Sequence, residues 1–264
     1  MSASILRFGY PGTDPKRRGG ALAFAVLLWL LYFGSLKLFR LGVTYIVCGN
    51  YSDELTGALY FLPVLLGHFF SSLLAWYVLK HSYQMSIKDL FRSDWRRARS
   101  WLKKGIVPRR SFESVCLYLA FGLWLWVVSA GLAAAFHGPA SKFHAAADST
   151  IGSKLMVAAL ATLSAPVIEE LFYRGFLFTQ LKRSAGTAVA VALVSLLFAA
   201  HHMDQYRTDE GGIIWPSVCI VGLHGLILTL LRWRSNALTP GIIVHATING
   251  MNTIFYGLLI KSII

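Results

Sequence analysis

Long stretches without charged side chains constrain this chain more than any other feature. Seven apolar runs divide the sequence, and Lys37 is the one Lys, Arg, Asp or Glu residue inside them. A helix that crosses a membrane needs about 20 mostly apolar residues. We therefore predict an all-α, multi-pass transmembrane helical bundle of about seven to eight spans, the eighth being one hidden in a bent or split segment. The runs are residues 21–39, 57–79, 114–136, 155–168, 185–200, 213–231 and 238–260.

The charged residues that remain show how the chain is oriented. Only 14% of residues are charged, too few to cover a water-facing surface, which excludes an ordinary soluble globule. Lys and Arg number 25 against 12 Asp and Glu, and the excess lies mainly in residues 1–20 and 80–113. Loops between other runs, such as 37–54 and 203–212, are neutral or acidic. Because basic loops stay in the cytoplasm, we predict a cytoplasmic N-terminus in the cell (inner) membrane.

Residues 80–113 predict a basic amphipathic helix on the cytoplasmic face. Apolar side chains recur there at helical spacing, and basic side chains fill the other positions. Such a helix suits an anionic lipid surface, so anionic lipids are expected partners; a solvated connector is the alternative. No recognised nucleic-acid motif accompanies the charge, and we expect no nucleic-acid partner. The apolar positions are Ile87, Leu90, Phe91, Trp95, Ala98, Trp101 and Leu102.

Ionisable residues inside apolar runs are functional candidates, because charges in a bilayer are costly. Glu169 and Glu170 end the fourth run. On a helix, Glu170 and Arg174 are four residues apart and are predicted to pair. Glu169 points about 100° away from Glu170, toward a polar cavity or another helix. Pro166 permits a kink just before it.

A helical hairpin places a histidine level with that glutamate. The basic turn near residue 185 follows Glu169 by 16 residues and precedes His202 by 17. At 1.5 Å per residue, both lie about 24 Å from the turn. The pair predicts water activation, with Glu169 taking the proton and His202 orienting the water. His245 and Asn249 share a helix face and are predicted to donate to a developing oxyanion.

Two other interpretations of these residues remain open. The two glutamates and Arg174 form a structural ion-pair cluster in the first. In the second, Glu169, His202 and His245 bind a divalent metal such as zinc, although we favour no metal and no other cofactor. His201 points about 100° away from His202, so only one of them faces Glu169. Four more histidines are interpreted as hydrogen-bonded packing residues: His68, His137, His144 and His224.

Three motifs occur in order in apolar segments: Glu169-Glu170-x-x-x-Arg174, Phe198-x-x-x-His202 and His245-x-x-x-Asn249. Together they resemble the motifs of the CPBP family of intramembrane proteases, named for CAAX proteases and bacteriocin processing and also called Abi. The resemblance covers about residues 150–255. We accordingly divide the chain into N-terminal spans with the basic segment, 1–113, and a catalytic membrane core, 114–264.

The resemblance implies a role for each motif residue. Glu169 and His202 would activate water, and His245 and Asn249 would form the oxyanion hole. Glu170 and Arg174 would shape the site, as would Phe198 in the second motif. It also implies an all-helical multi-pass bundle and a proteolytic activity, for which a glutamate-water mechanism fits these residues better than a metalloprotease mechanism.

The functional prediction is an intramembrane endopeptidase that cuts a membrane-anchored, C-terminally tailed or lipidated protein. With the turn near residue 185 in the cytoplasm, Glu169 and His202 lie in the outer half of a core about 30 Å thick. This depth suggests a C-terminal sorting tail of a bacterial envelope protein as substrate. The alternatives are a non-catalytic membrane protein that binds a peptide or bacteriocin, and a proton-coupled transporter, against which no inverted repeat is found.

Overall fold

The computed structural model describes residues 15–49, 62–70, 73, 77, 109–136, 151–208 and 211–254. These residues are mainly helical and contain no strand beyond one isolated bridge between Arg207 and Ile213. The predicted all-α class is therefore confirmed for the part of the chain described. The predicted amphipathic helix within residues 80–113 falls almost entirely outside these ranges, as do His137 and His144.

The described part of the chain is made of α-helices, two π-helices and one 3₁₀ turn. They are α1 Pro15–Cys48, α2 Arg109–Ala135, α3 Ile151–Ala159, a first π-helix Leu160–Ser164 (π1), α4 Ala165–Glu169, a second π-helix Glu170–Leu177 (π2), α5 Phe178–Ala185, α6 Thr187–His202, a 3₁₀ turn Met203–Gln205, α7 Trp215–Ser235 and α8 Thr239–Ile254. Residues 62–70 are also helical.

Five described helical stretches are long and apolar enough to cross a membrane. They are Trp29–Cys48, Glu113–Ala135, Lys154–Ala185, Thr187–Gln205 and Trp215–Ser235. The runs 57–79 and 238–260 are described only in part, so the total of seven to eight spans stays a prediction. Large apolar side chains on the outer faces are exposed, as expected where lipid covers them; Leu38, Trp124 and Leu196 are examples.

The first span differs from its prediction. The apolar run ends at residue 39, but α1 continues to Cys48, so much of the expected external loop 37–54 is helical. Lys37 thus lies within the span rather than at its end. The cation is tolerated there because it forms an ion pair with Asp204, just beyond α6.

Small residues let the helices of the core approach closely. Gly186 separates α5 from α6 with a φ of 88°, which makes the predicted hairpin turn possible. A Cβ on Gly225 of α7 would lie 3.1 Å from Phe198 Cδ1 and 3.3 Å from the Ser195 carbonyl oxygen of α6. On the opposite side of the hairpin, Tyr32 of α1 stacks on Phe172, with ring centroids 4.2 Å apart. These contacts enclose the middle of the bundle.

Candidate active site

A cavity of about 260 Å³ opens between the packed helices. Its wall is formed by residues of α1, α2, π1, α4, α6, α7 and α8, together with residues 204–206 and the helical residues 62–70. Most of the wall is apolar, and ionisable and amide side chains are concentrated on it. These side chains include Glu169, His201, His202, His224, His245 and Asn249.

Three predicted site residues converge on one point of this cavity. Glu169, the last residue of α4, places its Oε2 3.9 Å from His202 Nε2 and 3.9 Å from His245 Nε2. All three side chains are buried, and Glu169 is only 6% exposed. A separation of 3.9 Å is too long for a hydrogen bond but is one that a water oxygen can bridge. The arrangement therefore offers a carboxylate and two imidazoles to one small polar group.

The ring of His202 is oriented by its own helix. Its Nδ1 lies 2.8 Å from the Phe198 carbonyl oxygen, and because a carbonyl only accepts, Nδ1 carries the proton of this bond. Nε2 is then the atom directed at Glu169. The Phe198 ring packs beside the imidazole, with centroids 4.5 Å apart. The spacing of the second motif thus has a local physical basis, one helical turn that fixes the ring.

Glu170 belongs to a separate, fully buried network. Its Oε1 accepts a hydrogen bond from Arg174 NH1 at 2.9 Å. The same oxygen lies 3.1 Å from His245 Nδ1. Arg174 also donates to the Gly225 carbonyl oxygen at 3.1 Å and stacks over the Phe198 ring. The Glu170–Arg174 pair was predicted from the sequence. The contact with His245 was not, because spacing within one segment carries no information about a distant helix.

The other oxygen of Glu170 faces the backbone of α8. A Cβ on Gly241 would lie 2.8 Å from Glu170 Oε2, closer than real Cβ contacts. This position therefore accepts glycine because the carboxylate approaches the helix directly. The glycine sits four residues before His245, so the same helix supplies both the space for Glu170 and the imidazole that contacts it.

Asn249, the residue predicted to donate to an oxyanion with His245, has a hydrogen-bond partner on another helical segment. It lines the cavity, but its Nδ2 donates to the Ala161 carbonyl oxygen in π1 at 2.9 Å. His245, one helical turn before Asn249 on α8, approaches Glu169 of α4, whereas Asn249 bonds to Ala161 of π1. The sequence correctly places the two side chains on one face but does not show that they contact different elements.

His201 points away from Glu169, as its offset from His202 predicts. Trp29 Nε1 donates to the Tyr173 hydroxyl at 3.1 Å, and that hydroxyl lies 3.0 Å from His201 Nδ1. The hydroxyl thus accepts from the indole and also contacts the imidazole. This chain of bonds fastens α1 to π2 and α6. Aromatic residues in an apolar run look like lipid-facing or core side chains, so nothing in the sequence singles out Trp29 or Tyr173.

His224 has the packing role that was predicted for it, although it also lines the cavity. Its Nε2 lies 2.6 Å from Ser129 Oγ, and the serine hydroxyl donates to the Leu125 carbonyl oxygen. His224 therefore donates to the serine and links α7 to α2. His68 is buried and lines the same cavity.

The polar atoms of the alternative zinc set, Glu169, His202 and His245, are farther apart in this structure than in a zinc-bound site. Zinc bonds of about 2.0–2.2 Å hold tetrahedral ligand atoms about 3.4 Å apart, whereas both nitrogens lie 3.9 Å from the carboxylate oxygen. Within the described ranges, no group of three or more His, Cys, Asp or Glu side chains is arranged to hold a metal.

Comparison with known proteins gives one match. Residues 150–251 match the family model described as type II CAAX prenyl endopeptidase Rce1-like. No curated protein and no solved structure matches the chain. The matched region contains all three motifs. Residues 150–251 are therefore similar to the Rce1-like family, which is consistent with the CPBP family, and the resemblance drawn from the three motifs is confirmed.

Proposed function

We propose that this protein is an intramembrane endopeptidase in which Glu169 activates the attacking water. The observation that carries the proposal is the position of Glu169 Oε2, buried in the cavity and 3.9 Å from the Nε2 atoms of His202 and His245. Placing a carboxylate in a cavity enclosed by apolar helices costs free energy. Such a residue is therefore a candidate for a functional role. The Rce1-like match independently supports hydrolysis of a peptide bond.

The reaction uses the three side chains in distinct roles. Water bound between Glu169 and His202 loses a proton to the Glu169 carboxylate as its oxygen attacks the scissile carbonyl carbon. His202 orients the water. His245, as the imidazolium with its Nδ1–H held by Glu170 Oε1, donates its Nε2–H to the carbonyl oxygen as it becomes an oxyanion. Glu169 then returns the proton to the leaving amine nitrogen, the C–N bond breaks, and the carboxylate is regenerated.

Glu170 and Arg174 contribute by holding His245. The imidazole has one nitrogen on Glu170 Oε1 and the other directed at Glu169, so its ring plane is set by the buried pair. Phe198 completes this support by packing on both His202 and His245. This explains chemically why the second glutamate and the arginine belong to the same motif as the base.

The substrate we propose is a membrane-anchored protein with a lipidated or hydrophobic C-terminal tail. The family description names a CAAX prenyl endopeptidase, so a prenylated CAAX tail is the first substrate to test. The comparisons lend no support to the sorting tail of an envelope protein, which therefore serves as a second substrate in the same assay.

The decisive experiment compares the wild type with Glu169→Gln in vesicles that contain the prenylated substrate. We expect Glu169→Gln to lower the cleavage rate by about 10²- to 10⁴-fold, the contribution of a general base. Glu113→Gln, which removes a carboxylate at the start of α2, is the matched control and keeps its activity. Cleavage by Glu169→Gln at a rate close to that of the wild type would refute the proposed base. If the wild type binds the tail without cutting it, the non-catalytic alternative is correct.

A chelator tests the absence of a metal step. We expect cleavage to continue at the same rate after treatment with 1,10-phenanthroline followed by dialysis. Loss of activity that returns on adding zinc would instead show that Glu169, His202 and His245 move together to bind the ion.

We also propose that the N-terminus and the turn around Gly186 lie in the cytoplasm, with the basic segment 80–113 on anionic lipid. The basic residues Lys182 and Arg183 precede that turn, whereas Asp204 follows the other end of α6. A single cysteine introduced at Arg183 in a cysteine-free variant is expected to react with membrane-impermeant maleimide only in inverted vesicles. Labelling of this cysteine in intact cells would refute the proposed orientation and place the turn outside the cytoplasm.

A further inference from the structure

The first π-helix leaves one buried carbonyl oxygen without a backbone donor. In π1 the Ala165 N–H donates to the Leu160 carbonyl oxygen, five residues back. In the same pattern, the donor to the Ala161 carbonyl oxygen would be the backbone N–H of residue 166. That residue is Pro166, which has no N–H. Ala161 is only 5% exposed, so water does not readily replace the missing donor.

Asn249 supplies that donor from α8. Its Nδ2 lies 2.9 Å from the Ala161 carbonyl oxygen, an ordinary hydrogen-bond length. The neighbouring backbones are close as well, since a Cβ on Gly250 would lie 3.3 Å from Thr162 Cγ2. An amide side chain on one helix thus completes a hydrogen bond that a proline removes from another.

The π-turn determines where Glu169 points. A π-turn holds one more residue than an α-turn, so every residue beyond it is rotated by about 100° relative to an uninterrupted α-helix. Glu169 follows Pro166 by three residues, within α4, which begins where π1 ends. If π1 relaxed to α-helix, the carboxylate would turn away from the nitrogens of His202 and His245.

We propose that Asn249 is a positioning residue, which keeps π1 in place by donating to the Ala161 carbonyl oxygen and thereby directs Glu169 into the cavity. This inference rests on the proposed function of Glu169. It assigns the asparagine a task other than the oxyanion contact that the motif resemblance implies, and it connects the third motif to the first through Pro166.

The test is a double-mutant cycle between Asn249 and Pro166. Asn249→Ala removes the donor, and we expect it to lower both the thermal unfolding temperature and kcat/KM, the latter by about tenfold or more. Pro166→Ala restores a backbone N–H at the position whose π-type bond would reach Ala161. In the double variant, we expect both quantities to recover to within a few-fold and a few degrees of Pro166→Ala alone.

Asn252→Ala is the matched control. Asn252 lies on the same helix, lines the same cavity and accepts a hydrogen bond from Trp126 Nε1 through its amide oxygen. Any loss caused by Asn252→Ala should be unchanged by Pro166→Ala, because the proline has no part in that contact.

Each outcome decides the proposal. Recovery of stability and cleavage together supports it. Recovery of stability alone would overturn it, since the asparagine would then act on the substrate in addition to filling the gap in π1. No recovery of either quantity would also overturn it. If no substrate is cut by the wild type, the proposed function fails, while the unfolding temperatures still report whether Asn249 replaces the missing donor.

Discussion

Removal of the Arg174 guanidinium tests the buried network most directly. Both Arg174 and Glu170 are completely buried, so solvent does not screen the pair. Arg174→Met keeps much of the side-chain volume but leaves the Glu170 carboxylate in the protein interior beside the His245 imidazole, without its cation. The perturbation therefore isolates the charge rather than the packing.

The expected magnitude follows from these contacts. Breaking a buried ion pair by removing one partner lowers stability by about 3–5 kcal/mol, chiefly because the other charge is left uncompensated. The remaining bonds of Arg174 contribute less, because the Gly225 carbonyl oxygen retains a bond from Thr229 Oγ1 at 2.7 Å. Glu170→Gln alone leaves the arginine cation unpaired and has a similar effect. The double variant buries neither charge and should lose clearly less than the sum.

Unfolding of the four proteins in mixed detergent micelles, followed by circular dichroism, measures this cycle. We expect a coupling free energy of about 2 kcal/mol or more between residues 170 and 174. If the loss of unfolding free energy in the double variant equals the sum of the two single losses to within about 0.5 kcal/mol, Glu170 and Arg174 do not neutralise each other in the folded protein. The assignment of Glu170 as the paired carboxylate and Glu169 as the reactive one would then be refuted.

Two further substitutions separate the site from its support. Gly241→Ala places a Cβ against Glu170 Oε2 and should lower the free energy of unfolding by about 1–3 kcal/mol and slow cleavage. Gly131→Ala is the control, because nothing lies within 4 Å of the added Cβ, and it should change neither quantity. Equal effects of the two substitutions in unfolding and cleavage assays would contradict the close approach of Glu170 to Gly241. Tyr173→Phe removes the hydroxyl that joins Trp29 to His201 and should lower the free energy of unfolding by about 1–2 kcal/mol while cleavage continues. A loss of cleavage as large as that of Glu169→Gln would instead give this hydroxyl a catalytic role.

The hairpin shows what local spacing could predict about the site. The equal distance of Glu169 and His202 from the turn near residue 185 needs only helical rise, and the structure brings their polar atoms to 3.9 Å. The Glu170–Arg174 pair likewise follows from an interval of four residues, although it lies in a π-helix rather than an α-helix. Both predictions succeed because each depends on one helix or one short connection.

Contacts between distant segments were beyond such reasoning. The partner of Asn249 is 88 residues away and the tyrosine that binds Trp29 is 144 residues away. The π-helices were also missed: Pro166 indicated a kink, but the continuous helical path around it depends on a donor from α8. In each case the decisive group is supplied by an element that packs against the segment.

The amino-acid sequence by itself determined that the chain is a helical membrane protein, because uncharged runs must be buried in lipid and must satisfy their backbone hydrogen bonds internally. It also determined which ionisable side chains enter the apolar region. Only the tertiary structure decided what each of them meets. Glu169 faces His202 and His245, Glu170 is enclosed by Arg174 and His245, and Asn249 bonds to Ala161 because helix packing, rather than spacing along the chain, sets those distances.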